Sequence, residues 1–360
     1  MDNLSIELRN LTTGYRVKGG EKVVARGLNA SLRTGELTCL LGPNGAGKST
    51  LLRTMAAFQP ALGGEVTVNG TDVQKLKSKE IARLISVVLT DNSDIKNITA
   101  EEVVAMGRSP YTDFWGRLSD QDRAVVKQCM GWLGMEPLAK RKMQTLSDGE
   151  RQKVMIAKAM AQETPVVLLD EPTAYLDYPS KIQMMMMLHR LAKSLKKTIF
   201  MSTHDLEHAL QVADQVWLLD PEKGLTTGLP EDLSLDGSLG RYFAGEDMSF
   251  DRESCTFSIH HETARDIIVE GKSDTLEYIL CCKALKRNGM RPVSAKAESE
   301  TASTDVIIRI PGDGTFRMLE KGQETIRVEK IGHLIHMIVP AITKHQISAI
   351  REEAEMTPYE

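Results

Sequence analysis

Short apolar runs alternate with helix-patterned stretches along the first two-thirds of the chain. The runs that predict strands are Leu4 to Leu8, Glu36 to Leu41, Glu65 to Val68, Ile85 to Leu89, Val166 to Leu169 and Thr198 to Met201. The last two are apolar nearly throughout, which is typical of strands buried on both faces. Helical spacing covers Ser49 to Met55 and Ser180 to Lys196, and a polar, helix-rich stretch covers Thr99 to Met143. This alternation predicts an α/β fold with a parallel, helix-covered sheet.

A second pattern begins where turn-forming residues interrupt the first, around Leu229 to Phe250. A domain boundary there predicts one domain at residues 1–245 and another at 250–360. The second domain is predicted to have strands at Asp266–Glu270, Val306–Ile310 and Leu334–Val339, a helix opened by Asp274 and Glu277 with an apolar face of Leu276, Ile279 and Leu280, and a final helix from Pro340 to about Glu353. We interpret it as a small α+β accessory domain for dimer contacts or regulation.

Composition narrows the class of protein. Lysine and arginine number 45 against 49 acidic residues, and the net charge of −4 argues against a general nucleic-acid binder. No apolar run approaches the ~20 residues that span a bilayer, and Met1 to Ser5 lacks the features of a signal peptide. Five scattered cysteines indicate reduced thiols in a cytoplasm, and we interpret the adjacent Cys281 and Cys282 as packing residues.

One methionine run and two histidine pairs are candidates for a metal site and are better explained otherwise. Met184 to Met187 lies inside a helical pattern and is interpreted as helix core with some exposed methionine. His260-His261, and His333 with His336, are interpreted as surface or helix residues rather than metal ligands.

The first chemical signal is a phosphate-binding loop. It reads Gly42-Pro43-Asn44-Gly45-Ala46-Gly47-Lys48-Ser49, and Thr50 follows it. Glycines let backbone N–H groups curl around a β-phosphate, and the helix that begins at the lysine adds its positive dipole end. The lysine is placed to reach the β- and γ-phosphates, and the serine hydroxyl to ligate Mg²⁺. With a strand before it and a helix after it, the loop predicts a nucleoside triphosphate with magnesium.

Two further signals support a nucleotide site. The apolar run at Val166 ends in Asp170-Glu171, where Asp170 is placed to hold Mg²⁺ and Glu171 to polarise an attacking water. The segment Ser147-Asp148-Gly149-Glu150 has two interpretations. Ser147 and Glu150 form a helix capping box. The same hydroxyl, glycine amide and helix N-terminus also suit a γ-phosphate.

In this order, the loop, Ser147 to Glu150, and Leu168-Leu169-Asp170-Glu171-Pro172-Thr173 resemble the motif set of the ABC transporter ATPases. The resemblance implies a P-loop ABC-type nucleotide-binding domain with a helical subdomain at about 95–160. It implies ATP and Mg²⁺ as ligands, held between two subunits. The phosphate loop of one subunit then faces Ser147 and Gly149 of the other. One motif set per chain therefore implies a homodimer or pairing with a related ATPase subunit.

The resemblance also assigns roles to single residues. Tyr15 resembles the aromatic residue that stacks on adenine, Asp177 lies in the dimer-contact loop, and His204 resembles the switch histidine that contacts the γ-phosphate. Thr90 stands where the family usually has a glutamine that reaches Mg²⁺. A threonine side chain is shorter, so we expect Thr90 to support the metal more weakly, through a bridging water.

The family also has Gly where Asp148 stands and Gln where Glu150 stands, and we expect the backbone and Ser147 contacts to survive both changes.

One segment indicates a branch of the family. Val104-Ala105-Met106-Gly107-Arg108-Ser109-Pro110-Tyr111 resembles the permease-docking segment of importers for iron–siderophore, haem and cobalamin. Arg108 taken alone is also consistent with a surface-loop arginine that caps a helix. The resemblance implies an import ATPase at the cytoplasmic face of the inner (plasma) membrane, with a polytopic permease as partner and a substrate-binding protein as an indirect one. The alternative is a soluble ABC-type ATPase that assembles cofactors or remodels a complex.

Overall fold

The computed structural model describes residues 4–89, 97–113, 115–245, 248–251, 256–259, 261, 263, 265–295 and 306–339. The chain divides into two units, Met1–Ser258 and Ile259–Glu360. The division falls after Ser258, C-terminal to the turn-rich stretch Leu229–Phe250. Two buried apolar clusters lie before the division and a third lies after it.

Strands and helices alternate before residue 260. The strands are β1 (Leu4–Val17), β2 (Gly20–Arg33), β3 (Leu37–Leu41), β4 (Gly63–Val68), β5 (Thr71–Asp72), β6 (Ile85–Val88), β7 (Val166–Asp170), β8 (Thr198–Ser202), β9 (Gln215–Asp220), β10 (Gly224–Gly228), β11 (Met248–Asp251) and β12 (Thr256–Ile259). The helices are α1 (Lys48–Met55), α2 (Ser78–Leu84), α3 (Ala100–Ala105), α4 (Asp120–Trp132), α5 (Asp148–Ala161), α6 (Tyr178–Leu195), α7 (Leu206–Val212), α8 (Pro230–Leu235) and α9 (Ser238–Phe243).

The central sheet has six strands in the order β10-β9-β3-β8-β7-β6. Five of them pair in parallel, and β10 runs antiparallel at one edge. Every residue of β3, β7 and β8 is buried. Along β3 the two faces alternate: Cys39 packs in the cluster that holds α5 and α6, and Leu40 packs in the cluster that holds α1. The predicted parallel, helix-covered sheet is confirmed.

A second sheet is antiparallel, in the order β2-β1-β4-β5. The sequence predicted the start of β1 and the end of β4, but not β2. The strands β1 and β2 are 14 residues each, and their pairing contains several register shifts. Each shift breaks the alternation of buried and exposed residues, so β2 lacks the period-two signal by which strands are recognised.

Three helices pack on one another between β6 and β7. They bury Val103 and Val104 of α3, Met130 of α4, and Val154 and Met160 of α5 in one cluster. This confirms the helix-rich prediction for the region around Thr99–Met143. The methionine run on α6 is also helix core as predicted, since Met184 and Met185 are buried while Met186 is about half exposed.

The second unit is a mixed sheet with helices. Its elements are β13 (Arg265–Glu270), α10 (Leu276–Arg287), β14 (Met290–Ser294), β15 (Val306–Arg309), β16 (Phe316–Glu320), β17 (Gln323–Val328) and a helix α11 at residues 331–339. The strand order is β14-β13-β15-β16-β17, with β13 parallel to both of its neighbours. Cys281 and Leu285 of α10 and Leu334 and Ile338 of α11 pack in the core with β13.

Three predictions for this unit were wrong. Leu334–Val339 is part of helix α11 and not a strand, because Leu334 and Ile338 are buried at the i, i+4 spacing of one helix face. The helix α10 is capped by Thr275, whose hydroxyl accepts from the Tyr278 amide, and not by Asp274.

The apolar face predicted for α10 is also not its core face, since Leu276, Ile279 and Leu280 are exposed. The predicted packing role of Cys281 and Cys282 is confirmed. The predicted final helix from Pro340 lies outside the described residues.

Within the described part of the chain, every helix is too short or too polar to cross a membrane.

Candidate functional site

The phosphate-binding loop connects β3 to α1, as predicted, and two of its glycines are required by close approach. A Cβ on Gly42 would lie 2.1 Å from the carbonyl oxygen of Leu219. Gly47 has a φ of +95°, and a Cβ there would lie 2.3 Å from Cγ1 of Val24. Only glycine fits at either position. The strand before the loop and the helix after it therefore meet at the tight turn that the motif needs.

Lys48 is folded back into this loop. Its ammonium donates to the carbonyl oxygens of Gly42 at 2.8 Å and Pro43 at 3.1 Å. The residue is buried, and this burial lowers the pKa of the ammonium, opposed by the negative charge of Glu171 and Asp170. The ammonium is thus held at the mouth of the loop by neutral acceptors, which a phosphate group can replace.

A hydroxyl and a carboxylate lie together where magnesium is predicted. The Ser49 hydroxyl donates to Oδ1 of Asp170 at 3.1 Å. Asp170 ends β7 and is buried. Oxygen ligands of this kind suit Mg²⁺, which is bound through few protein groups together with substrate phosphates. The structure therefore brings the predicted metal ligands Ser49 and Asp170 into contact, although they are distant in sequence.

Ser202, to which the sequence assigned no role, holds both Asp170 and Glu171. The Ser202 hydroxyl donates to Oδ1 of Asp170 at 2.7 Å and accepts from the Glu171 amide at 2.9 Å. Ser202 is buried at the end of β8, directly opposite Asp170 in the parallel ladder. The signal that could have found it is register, because strand ends in a parallel sheet align at one edge.

Glu171 and His204 form the next pair. Nε2 of His204 and Oε1 of Glu171 are in direct contact. Nδ1 of the same ring lies 3.5 Å from Nζ of Lys48. Glu171 has a φ of 48°, a left-handed backbone conformation that costs energy in a non-glycine residue and is common at active sites. The predicted base and switch histidine thus meet beside the loop.

An open cavity of about 520 Å³ lies at this point, lined by residues that include Glu171, Thr173, His204 and Glu207. The cavity leaves room beside the carboxylate and the imidazole for a bound group and a water molecule.

Tyr15 lies at the other side of the loop. Its hydroxyl is 2.6 Å from Oγ1 of Thr50. The residue is 41% exposed on β1. This contact places the ring beside the first turn of α1 while leaving part of it open to a ligand.

The remaining predicted nucleotide residues cap helices of their own. The Ser147 hydroxyl accepts from the Glu150 amide, and the Glu150 carboxylate accepts from the Ser147 amide at 2.8 Å, so the predicted capping box is confirmed. A Cβ on Gly149 would lie 3.4 Å from Leu176, which packs near the start of α5. Asp177 caps α6, and its hydrogen bonds with Ser180 lower the pKa of its carboxyl.

Comparisons with known proteins decide the family. The profile described as "ABC transporter" matches residues 25–174, which include the loop, Ser147 and Glu171. The iron(3+)-hydroxamate import ATP-binding protein FhuC of Bacillus subtilis is 40% identical over 209 residues, which are 58% of this chain and 76% of that protein. This chain belongs to the ABC transporter ATP-binding proteins. It is an ATPase with a nucleotide-binding site, and the resemblance seen in its motifs is confirmed.

Solved ABC structures share the fold. A structure titled as an inward-facing conformation of a metal-chelate type ABC transporter covers 71% of this chain and 96% of its own, with 27% identity and a TM-score of 0.59. An ATP-binding cassette solved as a dimer in a post-hydrolysis state with ADP and Pi covers 60% of this chain and 94% of its own, with 27% identity and a TM-score of 0.53.

The branch segment of this ABC ATPase has a buried arginine at its centre. Arg108 donates through Nε to Asp122 at 2.8 Å, and through Nη1 to the Ala161 carbonyl at 2.7 Å and to Glu163 at 2.6 Å. Its guanidinium also lies 4.2 Å from the Tyr111 ring centroid. The arginine therefore does cap a helix, at the end of α5, but it lies in the interior and not on a surface loop.

Gly107 fits the same packing. A Cβ there would lie 2.2 Å from the carbonyl oxygen of Lys158 on α5. A groove of about 510 Å³ opens beside this clamped segment, lined by Glu102, Met106, Ser109, Thr112 and Lys158 among others. Met106 is 44% exposed. The segment is thus rigid on its inner side and apolar at an accessible edge.

Thr90, the third predicted magnesium residue, lies outside the described residues, and its role stays a prediction.

Proposed function

We propose that this ABC ATPase energises import of a metal chelate of the iron–siderophore, haem or cobalamin type through a membrane permease. The observation that carries the proposal is the likeness to an iron-hydroxamate import protein, 40% identical over 209 residues. The metal-chelate type transporter structure supports the same branch. The chain then works as a peripheral subunit at the cytoplasmic face of the inner membrane.

The site residues suggest how ATP is held and cleaved. Lys48 exchanges its loop carbonyls for the β- and γ-phosphates, and the amides of Asn44 to Ser49 surround the β-phosphate. Ser49 and Asp170 hold Mg²⁺, which neutralises phosphate charge when bound. The oxygens already in contact at 3.1 Å make the donor set that the ion prefers. Tyr15 provides a partly exposed ring for adenine.

Glu171 and His204 carry the hydrolytic step. The Glu171 carboxylate orients and polarises the attacking water, and His204 donates to the γ-phosphate oxygens as charge develops on them. Their present contact with each other keeps both side chains beside the loop. Binding of the γ-phosphate is expected to separate the pair, because the imidazole then has a stronger acceptor.

A second subunit completes the site in this proposal. Ser147, Gly149 and Asp177 lie at the starts of α5 and α6. Amides at a helix N-terminus attract phosphate, so the start of α5 of one subunit is suited to the γ-phosphate held by the loop of the other. The dimeric cassette structure shows that related chains pair. Two ATP molecules then close a homodimer, and hydrolysis reopens it.

The permease is proposed to dock at the groove beside Met106. The Gly107–Tyr111 turn is anchored to the end of α5 through Arg108 and Tyr111. Movement of α5, whose first turn faces the nucleotide, is therefore passed to the groove as a rigid body. This gives ATP binding a mechanical connection to the membrane partner.

Transport measurement tests the proposal. Cells that carry the wild-type chain are expected to take up labelled ferric hydroxamate, haem or cobalamin, and cells that carry Glu171→Gln are expected to lose that uptake while keeping the protein. A polytopic membrane protein should co-purify with both. ATP hydrolysis without uptake of any of the three chelates, and without a membrane partner, would favour a soluble remodelling ATPase instead.

A further inference from the structure

The helix α10 of the second unit has apolar side chains on two faces. Cys281 and Leu285 point into the core. Leu276, Ile279 and Leu280 are 67%, 41% and 44% exposed. Their i, i+3, i+4 spacing makes one continuous stripe along the helix. Exposed apolar stripes of this kind mark interaction surfaces, since a solvent-facing helix would otherwise carry polar residues there.

A groove runs beside the stripe, between α10 and α11. It has a volume of about 560 Å³ and is lined by residues that include Ala284, Ile331 and Ile335. Ala284 is buried and small, so it forms a hollow at the C-terminal half of α10. Leu276 protrudes at the N-terminal half of the same helix. One helix therefore presents both a knob and a hole.

Charge is also distributed unequally along α10. Asp274 and Glu277 lie at its start, whereas Lys283, Lys286 and Arg287 lie in its second half. Two copies of this helix laid antiparallel bring the acidic start of each against the basic end of the other. Laid parallel, they would bring like charges together. The helix is thus complementary to itself in one orientation.

We propose that α10 pairs antiparallel with α10 of a second copy of this chain, about a two-fold axis at Leu280. In this register Leu276 enters the hollow at Ala284 of the partner subunit. Glu277 of each copy then lies within reach of Lys283 of the partner subunit. Both contacts occur twice, as a two-fold interface requires. This contact involves residues of the second unit alone and needs no ATP.

A second copy of this chain is favoured over a different partner because α10 itself supplies the protruding Leu276, the hollow at Ala284, and charges of both signs. A different partner would need a matching surface of its own. This pairing rests on the proposed function in one respect, the ATP-bound homodimer. That dimer would raise the effective concentration of the two α10 helices and so favour their contact. The α10 contact in turn would keep two chains together between cycles of hydrolysis.

Sedimentation equilibrium of the full chain without nucleotide tests the proposal. Wild type is expected to form dimers, and Leu280→Asp is expected to raise the dimer Kd at least about tenfold, because the two-fold places two charges in the apolar contact. The matched control is Leu235→Asp on α8, a leucine that is 78% exposed, which should leave Kd unchanged. A monomeric wild type, or equal effects of the two variants, overturns the proposal.

A charge exchange tests the register. Glu277→Lys and Lys283→Glu are each expected to raise the dimer Kd several-fold, and the double variant to restore it towards wild type. A double variant as weak as the single variants overturns the register at Leu280. ATPase activity, measured in parallel at a protein concentration high enough for ATP alone to close the dimer, should be unchanged in all of them, so a failed transport proposal would not be mistaken for a failed α10 contact.

Photo-crosslinking identifies the occupant directly. Benzoylphenylalanine at position 280 of the full chain is expected to attach to an α10 peptide of another chain. Attachment to a peptide of residues 1–258, or to a different protein in membranes, would assign the stripe to that partner and overturn the pairing.

Discussion

At the residue scale, the Ser202 hydroxyl hydrogen-bonds to both acidic residues of the site. Ser202 donates to Asp170 and accepts from the Glu171 amide. Both of these contacts are with residues predicted to hold the metal or the water, so Ser202 acts by orienting them. Such supporting hydrogen bonds typically change metal affinity or activity by 10- to 100-fold when they are lost.

We therefore expect Ser202→Ala to raise the Mg²⁺ concentration that gives half-maximal ATPase activity by about tenfold. The physical reason is that the Asp170 carboxylate loses the Ser202 hydroxyl, which donates to its Oδ1 at 2.7 Å. A magnesium titration of the steady-state ATPase rate measures it. Ser194→Ala, an exposed serine on α6, is the control. An unchanged magnesium requirement in Ser202→Ala would show that Asp170 is held by other contacts.

Glu171→Gln should lower the ATPase rate by about 100-fold or more while nucleotide binding persists. An amide is nearly the same size as the carboxylate but cannot polarise water as a base does. Single-turnover hydrolysis and equilibrium binding of ATP separate the two effects. Glu207→Gln, an exposed glutamate lining the same cavity, should retain the wild-type rate. If both variants lose activity equally, Glu171 has no special part in the reaction.

Much of the site could be predicted because its parts are local. The loop Gly42–Ser49 and the pair Asp170-Glu171 each carry their chemistry in consecutive residues beside a strand. Ser202 could not be found this way, because a serine at a strand end is common and its meaning depends on the neighbour across the ladder. The contact of His204 with Lys48 likewise depends on β3 and β8 being adjacent.

At the element scale, the buried Arg108 fastens the segment Gly107–Tyr111 to α4 and α5. Its partners are a carboxylate on α4, a helix-end carbonyl on α5 and a second carboxylate at Glu163. A buried charge is costly unless paired, so the cluster is stable only when complete. The segment Gly107–Tyr111, whose resemblance implied permease docking, therefore also stabilises the packing of α4 and α5.

Arg108→Met should lower the free energy of unfolding by about 3 kcal/mol, because Asp122 is then left buried without its cationic partner. Urea denaturation followed by circular dichroism measures the change. Arg123→Met on the exposed side of α4 should stay within about 0.5 kcal/mol of wild type. A loss below 1 kcal/mol for Arg108→Met would mean that water reaches the cluster.

The same cluster predicts a pH dependence. Hydrogen bonds with Ser119, and then the one from Arg108, hold the pKa of the Asp122 carboxyl below its usual range. A carboxyl with a lowered folded-state pKa stabilises the fold above its unfolded pKa of about 3.9, and loses this contribution as the pH falls through the folded value. The stability difference between wild type and Asp122→Asn should therefore shrink from pH 7 towards pH 3. A constant difference in urea denaturation would contradict the assignment.

The elements differ in how far the sequence predicts them. Strands β7 and β8 were predicted correctly, because a short run that is apolar nearly throughout is typical of a strand buried on both faces. Strand β2 is missed because its register shifts hide the alternation. Helix α11 was wrongly predicted as a strand because residues Leu334 to Val339 are mostly apolar. Only the structure shows which of them are buried, and the buried residues Leu334 and Ile338 have helical spacing.

At the scale of the whole molecule, the two units have different roles in our proposals. The first carries the ABC motifs and two buried clusters that meet at the central sheet. Its nucleotide residues fall into two groups, one around the loop and one at the starts of α5 and α6. The central claim is that these groups act on the same ATP only when they come from different subunits. The second unit, in our proposal, keeps those subunits together.

ATPase measurements on mixed subunits test whether the site is shared. Lys48→Ala damages the loop side of the site, and Ser147→Arg damages the capping side. Each variant alone should be inactive. In an equal mixture half of the dimers are mixed and each has one intact site, so the ATPase rate should rise to about a quarter of wild type if the sites work independently. Mixing Lys48→Ala with Glu171→Gln, which both damage the loop side, should restore nothing.

A site shared between two subunits therefore gives recovery in the first mixture and none in the second. A first mixture as inactive as its components would mean that each ATP is bound and cleaved within a single chain.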